Sequence, residues 1–371
     1  MESHSFVLPG DAVDPALDGP DTLVLAFGDP SLPAVADAVA ELRRAFPTSV
    51  LVGCSTSGQL LDATIVDDGL VALAARFEHT TLRLARSRIA GVGDSCEAGR
   101  RLAAQLPAEG LAGVLVICDG IDVNGSDLVH GLASGLPHGV PVAGGLASDH
   151  ARFEKTWVLA GDELGSGLLA AVGFYGDRLR LTHGCRGGWE TFGPARTVTS
   201  SCGNKLFALD GRPALALYKS YLGVYADELP GSALRFPLAV QTADRPTHVV
   251  RTVLSVDEAD QSMTFAGDLP EGATARLMRA SHDMLVDGAM DAATQCVAGP
   301  RPGSSALALA VSCVGRRLVL GQRAEEELDA VRSVLGDIPL VGFYSNGEVS
   351  PGEGFSELHN QTMTLVLLVE D

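Results

Sequence analysis

The sequence lacks a framework of paired cysteines. Its seven cysteines are odd in number, and no two of them have the C-x-x-C spacing. This pattern argues against a disulfide scaffold, a zinc ribbon and a c-type haem attachment site. Several cysteines lie in apolar runs, where a buried and inert thiol is expected. Such cysteine usage is typical of a reducing compartment, so we expect a cytoplasmic protein.

The sequence is also short of positive charge. It has 27 Lys and Arg residues against 46 Asp and Glu residues, which gives a formal net charge of −19. A surface of this sign repels phosphate backbones and anionic lipid headgroups, so we expect no nucleic-acid partner. The N-terminus has no basic region, and no apolar run approaches the roughly 18 residues needed to cross a bilayer, so we expect no membrane insertion. Adjacent arginines such as Arg316 and Arg317 are expected on a solvated helix face.

Aromatic residues are scarce and glycines are plentiful. Only 5% of the residues are aromatic, whereas 43 of the 371 are glycine. A core built mainly from Val, Leu and Ala with many tight turns favours an α/β architecture with short loops. The length is sufficient for two or three domains.

A ten-residue pattern occurs twice. LVGCSTSGQL at 51–60 and LVGFYSNGEV at 340–349 share Leu, Val and two glycines at the same spacing. Each follows a strand-like run and a helix-like segment, and each precedes another strand-like run. These segments are 22–28, 33–46 and 70–77 in the first copy (22–77), and 306–313, 324–336 and 363–369 in the third copy (306–369).

A weaker second copy (113–175) lies between them. Its segments are 113–120, 127–136, 140–149 and 167–175. The unit is therefore strand, helix, strand, glycine turn, strand, and it is used about three times. Continuous Val, Leu and Ala strands joined by a helix predict parallel pairing within mixed sheets.

The segment from about 178 to 300 has a different character. Helices are predicted at 213–223 and 275–293, with a hairpin within 248–269 and a loop at 298–305. A new run of elements begins after residue 212. We therefore divide the chain into an N-terminal extension and two domains, namely 1–21, 22–212 and 213–371.

The glycine spacing in the first copy resembles a phosphate-binding loop, but the chemistry does not. Gln59 and Leu60 stand where such a loop has its lysine and hydroxyl residue, and Glu348 in the third copy would repel phosphate. Cys54, at a strand end, is a candidate nucleophile for an enzyme. Because Phe343 stands at the equivalent position, packing is the competing interpretation.

The polar turns are instead candidate parts of a ligand pocket. Ligands of α/β proteins collect where strands end, so two or three converging turns would form a pocket. The alternative is that the glycines only permit positive φ and the hydroxyls only cap turns. The candidate binding residues are Cys54, Ser55, Thr56, Gly58, Gly144, Gly145, Phe343, Tyr344, Ser345, Asn346 and Glu348.

Several pieces, in chain order, resemble the FIST family of sensory proteins. They are LVGCSTSGQL, VAGGLASD, HGCRGGW, LDGRPALALYKSYLG, CVGRRLVLGQRAEEEL, PLVGFYSNGEVSP and LHNQTMTLVLL. The resemblance covers residues 22 to 369 and implies two FIST-like domains. It also implies a non-enzymatic small-ligand sensor that regulates a separate signalling protein, such as a histidine kinase or a cyclic-di-GMP enzyme.

The resemblance further implies haem as the leading ligand and nitric oxide as the signal, because a stand-alone branch of the family has this function. An amino acid or another small polar metabolite is the alternative ligand. Haem iron needs an imidazole or a thiolate from an apolar cleft. His183 and His359, within family-like blocks, are the axial-ligand candidates, with Cys185 as the thiolate alternative. Each histidine could equally be a hydrogen-bonded structural residue.

Overall fold

The structure, a computed structural model, describes residues 1–150, 152–243, 248–297, 305–352 and 355–371. The strands up to residue 186 are β1 Glu2–Leu8, β2 Thr22–Gly28, β3 Val50–Ser55, β4 Gln59–Leu61, β5 Thr64–Val66, β6 Leu70–Arg76, β7 Thr81–Arg88, β8 Leu111–Cys118, β9 Val142–Leu146, β10 Val158–Ala160, β11 Glu163–Gly165, β12 Leu168–Tyr175 and β13 Leu179–Arg186.

The remaining strands are β14 Glu190–Thr191, β15 Arg196–Cys202, β16 Lys205–Leu209, β17 Arg212–Pro213, β18 Leu238–Gln241, β19 Val249–Arg251, β20 Val253–Asp257, β21 Ser262–Phe265, β22 Thr274–Arg279, β23 Ala306–Cys313, β24 Leu340–Ser345, β25 Gly347–Pro351, β26 Ser356–His359 and β27 Met363–Glu370. The α-helices are α1 Leu32–Ala45, α2 Ser95–Ala103, α3 Gly125–Gly135, α4 Ala214–Leu222, α5 His282–Val297, α6 Val314–Leu320 and α7 Ala324–Leu335. Short 3-10 helices lie at Pro15–Leu17, Val92–Asp94, Gly223–Glu228, Gly231–Arg235 and Gly321–Arg323.

Three six-stranded sheets share one strand plan. Sheet 1 has the order β1-β6-β2-β3-β10-β11, sheet 2 the order β7-β12-β8-β9-β25-β26, and sheet 3 the order β13-β27-β23-β24-β4-β5. Each is built on one copy, whose two leading strands pair in parallel while the other neighbours are antiparallel. The mixed α/β class and the parallel pairing predicted from the repeats are thus confirmed.

The copies exchange strands in a closed ring. The hairpin that follows each glycine turn joins the sheet of another copy, so β4–β5 lies in sheet 3, β10–β11 in sheet 1 and β25–β26 in sheet 2. The strands after the first and second copies, β7 and β13, join the next sheet in the same way. Strand β1, from the predicted N-terminal extension, completes this pattern in sheet 1. The result is a pseudo-threefold arrangement that local patterning could not reveal.

One apolar core joins the three sheets. It contains side chains from all three copies, including Phe27, Ile117 and Phe343. The rings of Phe27 and Phe343 stack with centroids 4.7 Å apart. Phe343 therefore acts in packing, because its side chain is fully buried in this shared core.

The nine strands β14 to β22, within residues 190–279, form a separate sheet with its own core. Here the predicted helix at 275–293 is partly wrong, since residues up to 279 form strand β22 and helix α5 begins at His282. In β22 the buried Ala275 and Leu277 lie on either side of the exposed Arg276, which is the period of a strand. Of the predicted loop at 298–305, only Ser305 lies within the described residues.

Candidate functional site

The three glycine turns meet at the pseudo-threefold axis. Their main chains form a cycle in which the amide of Ser57 donates to the carbonyl of Tyr344 (3.1 Å), that of Ser148 to Ser55 (3.0 Å), and that of Asn346 to Leu146 (3.2 Å). We call residues 55–58, 146–149 and 344–347 the turn ring. The convergence that the sequence suggested is therefore present in the fold.

The turn ring is a packed interior, and the predicted binding residues in it and directly beside it are buried. The candidates with buried side chains or backbone are Cys54, Ser55, Thr56, Gly58, Gly144, Gly145, Phe343, Tyr344, Ser345, Asn346 and Glu348. Much of their polar capacity is used internally; for example, the amide of Gly58 donates to Thr56 Oγ1 at 3.1 Å. Arg317 covers the ring, with its guanidinium 5.3 Å from the centre of the Tyr344 ring. These residues come together as a structural hub.

Cys54 is in a poor environment for a nucleophile. Its side chain is fully buried, and burial together with the neighbouring Cys118 raises its pKa well above the ordinary value. A thiol must ionise to attack, so this environment opposes the enzyme hypothesis that placed the chemistry at Cys54.

Glu348 is the buried carboxyl group of the third-copy turn. It accepts hydrogen bonds from Ser345 Oγ (2.6 Å), from Thr362 Oγ1 (3.0 Å) and from the Thr362 amide (3.2 Å). Burial outweighs these bonds and raises its pKa to about 8. The folded protein therefore holds this group largely protonated near neutral pH.

The three residues nominated as iron ligands lie together. Strand β13 carries His183 and Cys185, and β26 carries His359, so the group joins the facing edges of sheets 3 and 2. The side chains of His359 and Cys185 are close enough to influence each other's ionisation. Burial opposes ionisation of Cys185, but His359 and the hydroxyls of Thr364 and Thr362 outweigh it and lower the Cys185 pKa to about 7.

This environment shifts the pKa values of the two histidines in opposite directions. Burial and the neighbouring His359 lower the pKa of His183. Burial also acts to lower the pKa of His359, but the interaction with the Cys185 thiolate outweighs burial, so the pKa of His359 is raised.

Within the residues that the structure describes, no group of three or more His, Cys, Asp or Glu side chains is arranged to hold a metal ion.

A large groove lies elsewhere, between helix α3 and the nine-stranded sheet. Its volume is about 750 Å³, and we call it the α3 groove. It is lined by Ser126, Asp127, Val129, His130, Ala133, Ser134, Pro137, His138, Gly139, Val140, Val240, Thr242, Val249, Arg251, Asp268, Pro270, Phe355, Ser356, Glu357 and Leu358. None of the predicted site residues belongs to this lining. Sequence reasoning missed the groove because its walls come from segments far apart in the chain.

Two family models match the chain. One, described as the FIST N domain, matches residues 22–212, and the other, described as the FIST C domain, matches residues 214–351. The chain belongs to the FIST family. FIST domains are sensory domains of signal transduction and bind small ligands in signalling proteins. The resemblance inferred from the sequence blocks is thus confirmed at the level of the family.

Curated proteins similar to this chain include two from mycobacteria. An uncharacterized protein of Mycobacterium tuberculosis is 28% identical over 258 residues, covering 66% of this chain and 64% of its own length. An uncharacterized protein of Mycobacterium bovis is 28% identical over 243 residues, covering 63% of this chain and 61% of its own length. The chain thus matches less than two thirds of the length of these relatives.

The two FIST regions are interleaved in the fold. Strands β4 and β5 of the FIST N region complete the sheet built on β23 and β24 of the FIST C region. The walls of the α3 groove also come from both regions, with Asp127 on one side and Asp268 on the other. A ligand in this groove would contact both FIST regions.

Within the described residues, no helix is both long and apolar enough to cross a bilayer.

Glu348→Gln is expected to gain stability relative to the parent protein as pH rises. The folded pKa of Glu348 is raised to about 8, whereas an unfolded glutamate ionises near 4.3, roughly. The stability that this group contributes is therefore fully present below the unfolded pKa and is lost as pH rises toward the folded value. Urea unfolding of both proteins between about pH 5 and about pH 9 measures the difference. A difference that does not change with pH would contradict the prediction.

Proposed function

We propose that this FIST protein senses a small polar metabolite that carries a cationic group and binds in the α3 groove. The observation that carries the proposal is the groove itself, whose volume of about 750 Å³ suits a small organic molecule. Residues from both FIST regions line it. Occupancy could therefore change how the two regions pack, which is what a sensor requires.

The charge of the groove selects the ligand class. Among the described residues of the lining, Asp127, Asp268 and Glu357 supply carboxyl groups and Arg251 supplies a guanidinium group. Arg251 also donates to the main-chain carbonyls of Asp268 (3.0 Å) and Leu358 (3.1 Å). Burial and the neighbouring Asp268 raise the pKa of Asp127, and the opposing effect of His130 does not reverse the shift. An amine or an amino acid would place a positive charge beside Asp127 and Asp268.

Buried hydroxyls in the groove are available to a ligand. In the described part of the chain, neither Ser126 Oγ nor Thr242 Oγ1 has a hydrogen-bond partner. A buried polar group without a partner is costly, so such groups mark positions where a ligand or ordered water supplies the bond. Both lie in the lining of the groove.

The output of the sensor is proposed to pass to a separate signalling protein, with a histidine kinase or a cyclic-di-GMP enzyme as the expected kind. The sensory role of FIST domains in signalling proteins supports this step. Co-purification of the tagged full chain from its host, with and without the ligand identified below, tests it. The expected result is a signalling enzyme whose recovery depends on the ligand, and recovery of none would contradict the proposal.

We expect at least one of the common amino acids, or putrescine as a simple diamine, to bind with about one site per chain. Calorimetric titration of the full chain measures binding, and the rise in unfolding temperature measures the coupled stabilisation. Asp127→Asn should weaken the affinity at least about tenfold, because it removes a charge-assisted hydrogen bond worth roughly 1.5–3 kcal/mol.

Asp122→Asn is the matched control. Asp122 lies just before helix α3, is exposed and does not line the groove, so its replacement should leave the affinity unchanged. The proposal fails if none of the probes binds, or if Asp127→Asn and Asp122→Asn bind the ligand equally well.

Haem with nitric oxide as the signal is the second candidate. His183 and His359 do not fit haem as arranged, because neither lines the groove and both are packed around Cys185 between two sheets. The observation that favours haem is that His130 and His138 line the groove, where an imidazole could serve as an axial ligand. The carboxyl groups of the lining would repel the two negatively charged propionates of haem. Haem is therefore the second candidate.

An absorption spectrum separates the two ligands. Protein purified with haem supplied should show a Soret band that shifts on addition of nitric oxide if the second candidate holds. His130→Ala and His138→Ala, compared with His183→Ala and His359→Ala, then identify the imidazole that ligates iron. Protein that takes up no haem removes this candidate and leaves the metabolite proposal intact.

A further inference from the structure

Two acidic residues of the α3 groove come from different FIST regions and are both anchored to Asn124. Asn124 directly precedes helix α3, and its Oδ1 atom accepts hydrogen bonds from the amides of Ser126 (3.0 Å) and Asp127 (3.3 Å). Its Nδ2 atom donates to Asp268 Oδ1 at 2.8 Å. One buried amide side chain therefore fixes both the helical turn that carries Asp127 and the carboxyl group of Asp268.

These two carboxyl groups keep hydrogen-bonding capacity for a ligand. Among the residues that the structure describes, the Asp127 carboxyl group has no hydrogen bond or ion pair, and that of Asp268 has only the bond from Asn124. Ser126 Oγ, which also lacks a partner there, lies beside the loop that carries Asp268, since a Cβ atom on Gly267 would be 3.0 Å from it. Acceptors from both FIST regions thus lie together at this place in the groove.

The guanidinium of Arg251, in contrast, is committed to the main chain. Its Nε atom donates to the carbonyl of Asp268 at 3.0 Å. Its Nη1 atom donates to the carbonyls of Leu358 (3.1 Å) and Val250 (3.3 Å). The bond to Leu358 joins β19, at the edge of the nine-stranded sheet, to β26, at the edge of sheet 2. A ligand carboxylate that took this guanidinium would have to replace contacts that hold the two sheets together.

Aliphatic side chains complete the lining of the groove. They include Val129 on α3, Val240 on β18, Val249 on β19 and Leu358 on β26. A chain of methylene groups gains free energy when it leaves water for such a surface. The groove therefore combines acceptors for a cation with a surface for an aliphatic chain.

We propose that the α3 groove selects an aliphatic primary amine that carries no carboxylate, with a short diamine as the simplest example. This inference rests on the proposed function and narrows the ligand from amines and amino acids to amines. The ammonium group donates its hydrogens to Asp127, Asp268 and Ser126, and the methylene chain packs on the aliphatic lining. A carboxylate on the same ligand would lie among carboxyl groups, and such like-charge contacts reject a competing ligand.

Cadaverine, lysine and lysinamide are the probes that test this selection. Lysine is cadaverine with a carboxylate added, and lysinamide has a neutral amide of similar size in its place. Calorimetric titration of the full chain near neutral pH should show cadaverine binding at least about tenfold more tightly than lysine, because lysine brings like charges together. Lysinamide should bind at least about fivefold more tightly than lysine, because the groove rejects the charge and not the size of the carboxylate.

Asp268→Asn tests whether the groove is the source of the preference. The change keeps a side-chain oxygen for the bond from Asn124 and removes a negative charge, so the ratio of cadaverine affinity to lysine affinity should fall at least about fivefold. Asp122→Asn changes an exposed residue outside the lining and should leave the ratio unchanged. Thermal unfolding shows whether each variant is folded. If Asp268→Asn does not fold, Asp127→Asn is measured in its place with the same expected result.

The outcomes distinguish this inference from the proposed function. If lysine binds the parent protein as tightly as cadaverine, the selection of amines is wrong, whereas metabolite sensing in the groove stands. The inference is also wrong if lysinamide binds as weakly as lysine, or if a folded Asp268→Asn or Asp127→Asn variant keeps the parental ratio. If no diamine binds, the inference fails, and the proposed function fails with it only when the amino acids do not bind either.

Discussion

Arg316→Met is expected to lower the free energy of unfolding by about 3–5 kcal/mol, because it leaves a buried carboxylate without its charge partner. Arg316 and Glu327 are both fully buried. The Nε and Nη2 atoms of Arg316 donate to one oxygen of Glu327 at 3.0 and 2.8 Å. The other oxygen of Glu327 accepts from Ser312 (2.9 Å) and from the Tyr344 hydroxyl (2.7 Å). The pair thus links helices α6 and α7 to strand β24, whose C-terminal end lies in the turn ring.

Arg323→Met is the matched control for this prediction. Arg323 forms ion pairs with Asp283 and Glu326, but its side chain is 40% exposed. Pairs in contact with water contribute roughly 0–1 kcal/mol. Urea unfolding of the two variants and the parent protein measures the contrast. Equal losses for Arg316→Met and Arg323→Met would show that the buried pair has no special role.

Gly342→Ala is expected to cost about 3 kcal/mol, at the upper end for overpacking. A Cβ atom on Gly342 would lie 1.9 Å from the carbonyl oxygen of Ala310 on the adjacent parallel strand. Gly53 meets Ala26 in the same way at 1.7 Å. Because the obstructing atom is main chain, no rotamer change relieves the clash. Neither glycine has a left-handed φ, so close approach alone explains the requirement.

Gly93→Ala provides the control for the glycine prediction. Gly93 is exposed, has no left-handed φ, and a Cβ there would meet nothing within 4 Å. Its replacement should leave stability unchanged or raise it by about 0.4–1 kcal/mol, since alanine has fewer unfolded conformations. The denaturant midpoints of Gly342→Ala, Gly53→Ala and Gly93→Ala, compared with that of the parent protein, measure the change in stability of each variant. Loss at Gly93 equal to that at Gly342 would refute the close-approach explanation.

The local periodicities of this sequence predicted its elements well where they were strong. Residues 22–28 and 306–313 are strands with the predicted bounds, and the helix predicted at 324–336 is α7. The prediction failed where a short strand precedes a helix, at 275–279, because five residues are too few to separate a period of two from a helical one.

Adjacent arginines show a second limit of sequence reasoning. Arg316 and Arg317 were expected on a solvated helix face, and this prediction is wrong. Arg316 is fully buried against Glu327, and Arg317 reaches across to the carbonyl of Ser57 and to Asp67. Their partners are 11 to 260 residues away in the chain. Sequence neighbours alone do not identify such contacts.

By itself, the sequence determined the repeated unit, the mixed α/β class and the family. These features follow from short-range periodicity and from short motifs. The close approach of parallel strands at Gly53 and Gly342 emerged only from the structure. Only the tertiary structure decided that the copies exchange hairpins, that the polar turns form a buried hub, and that Cys185 meets His359. Those contacts join strands of different copies, and their geometry depends on sheet order and register, which no local pattern encodes.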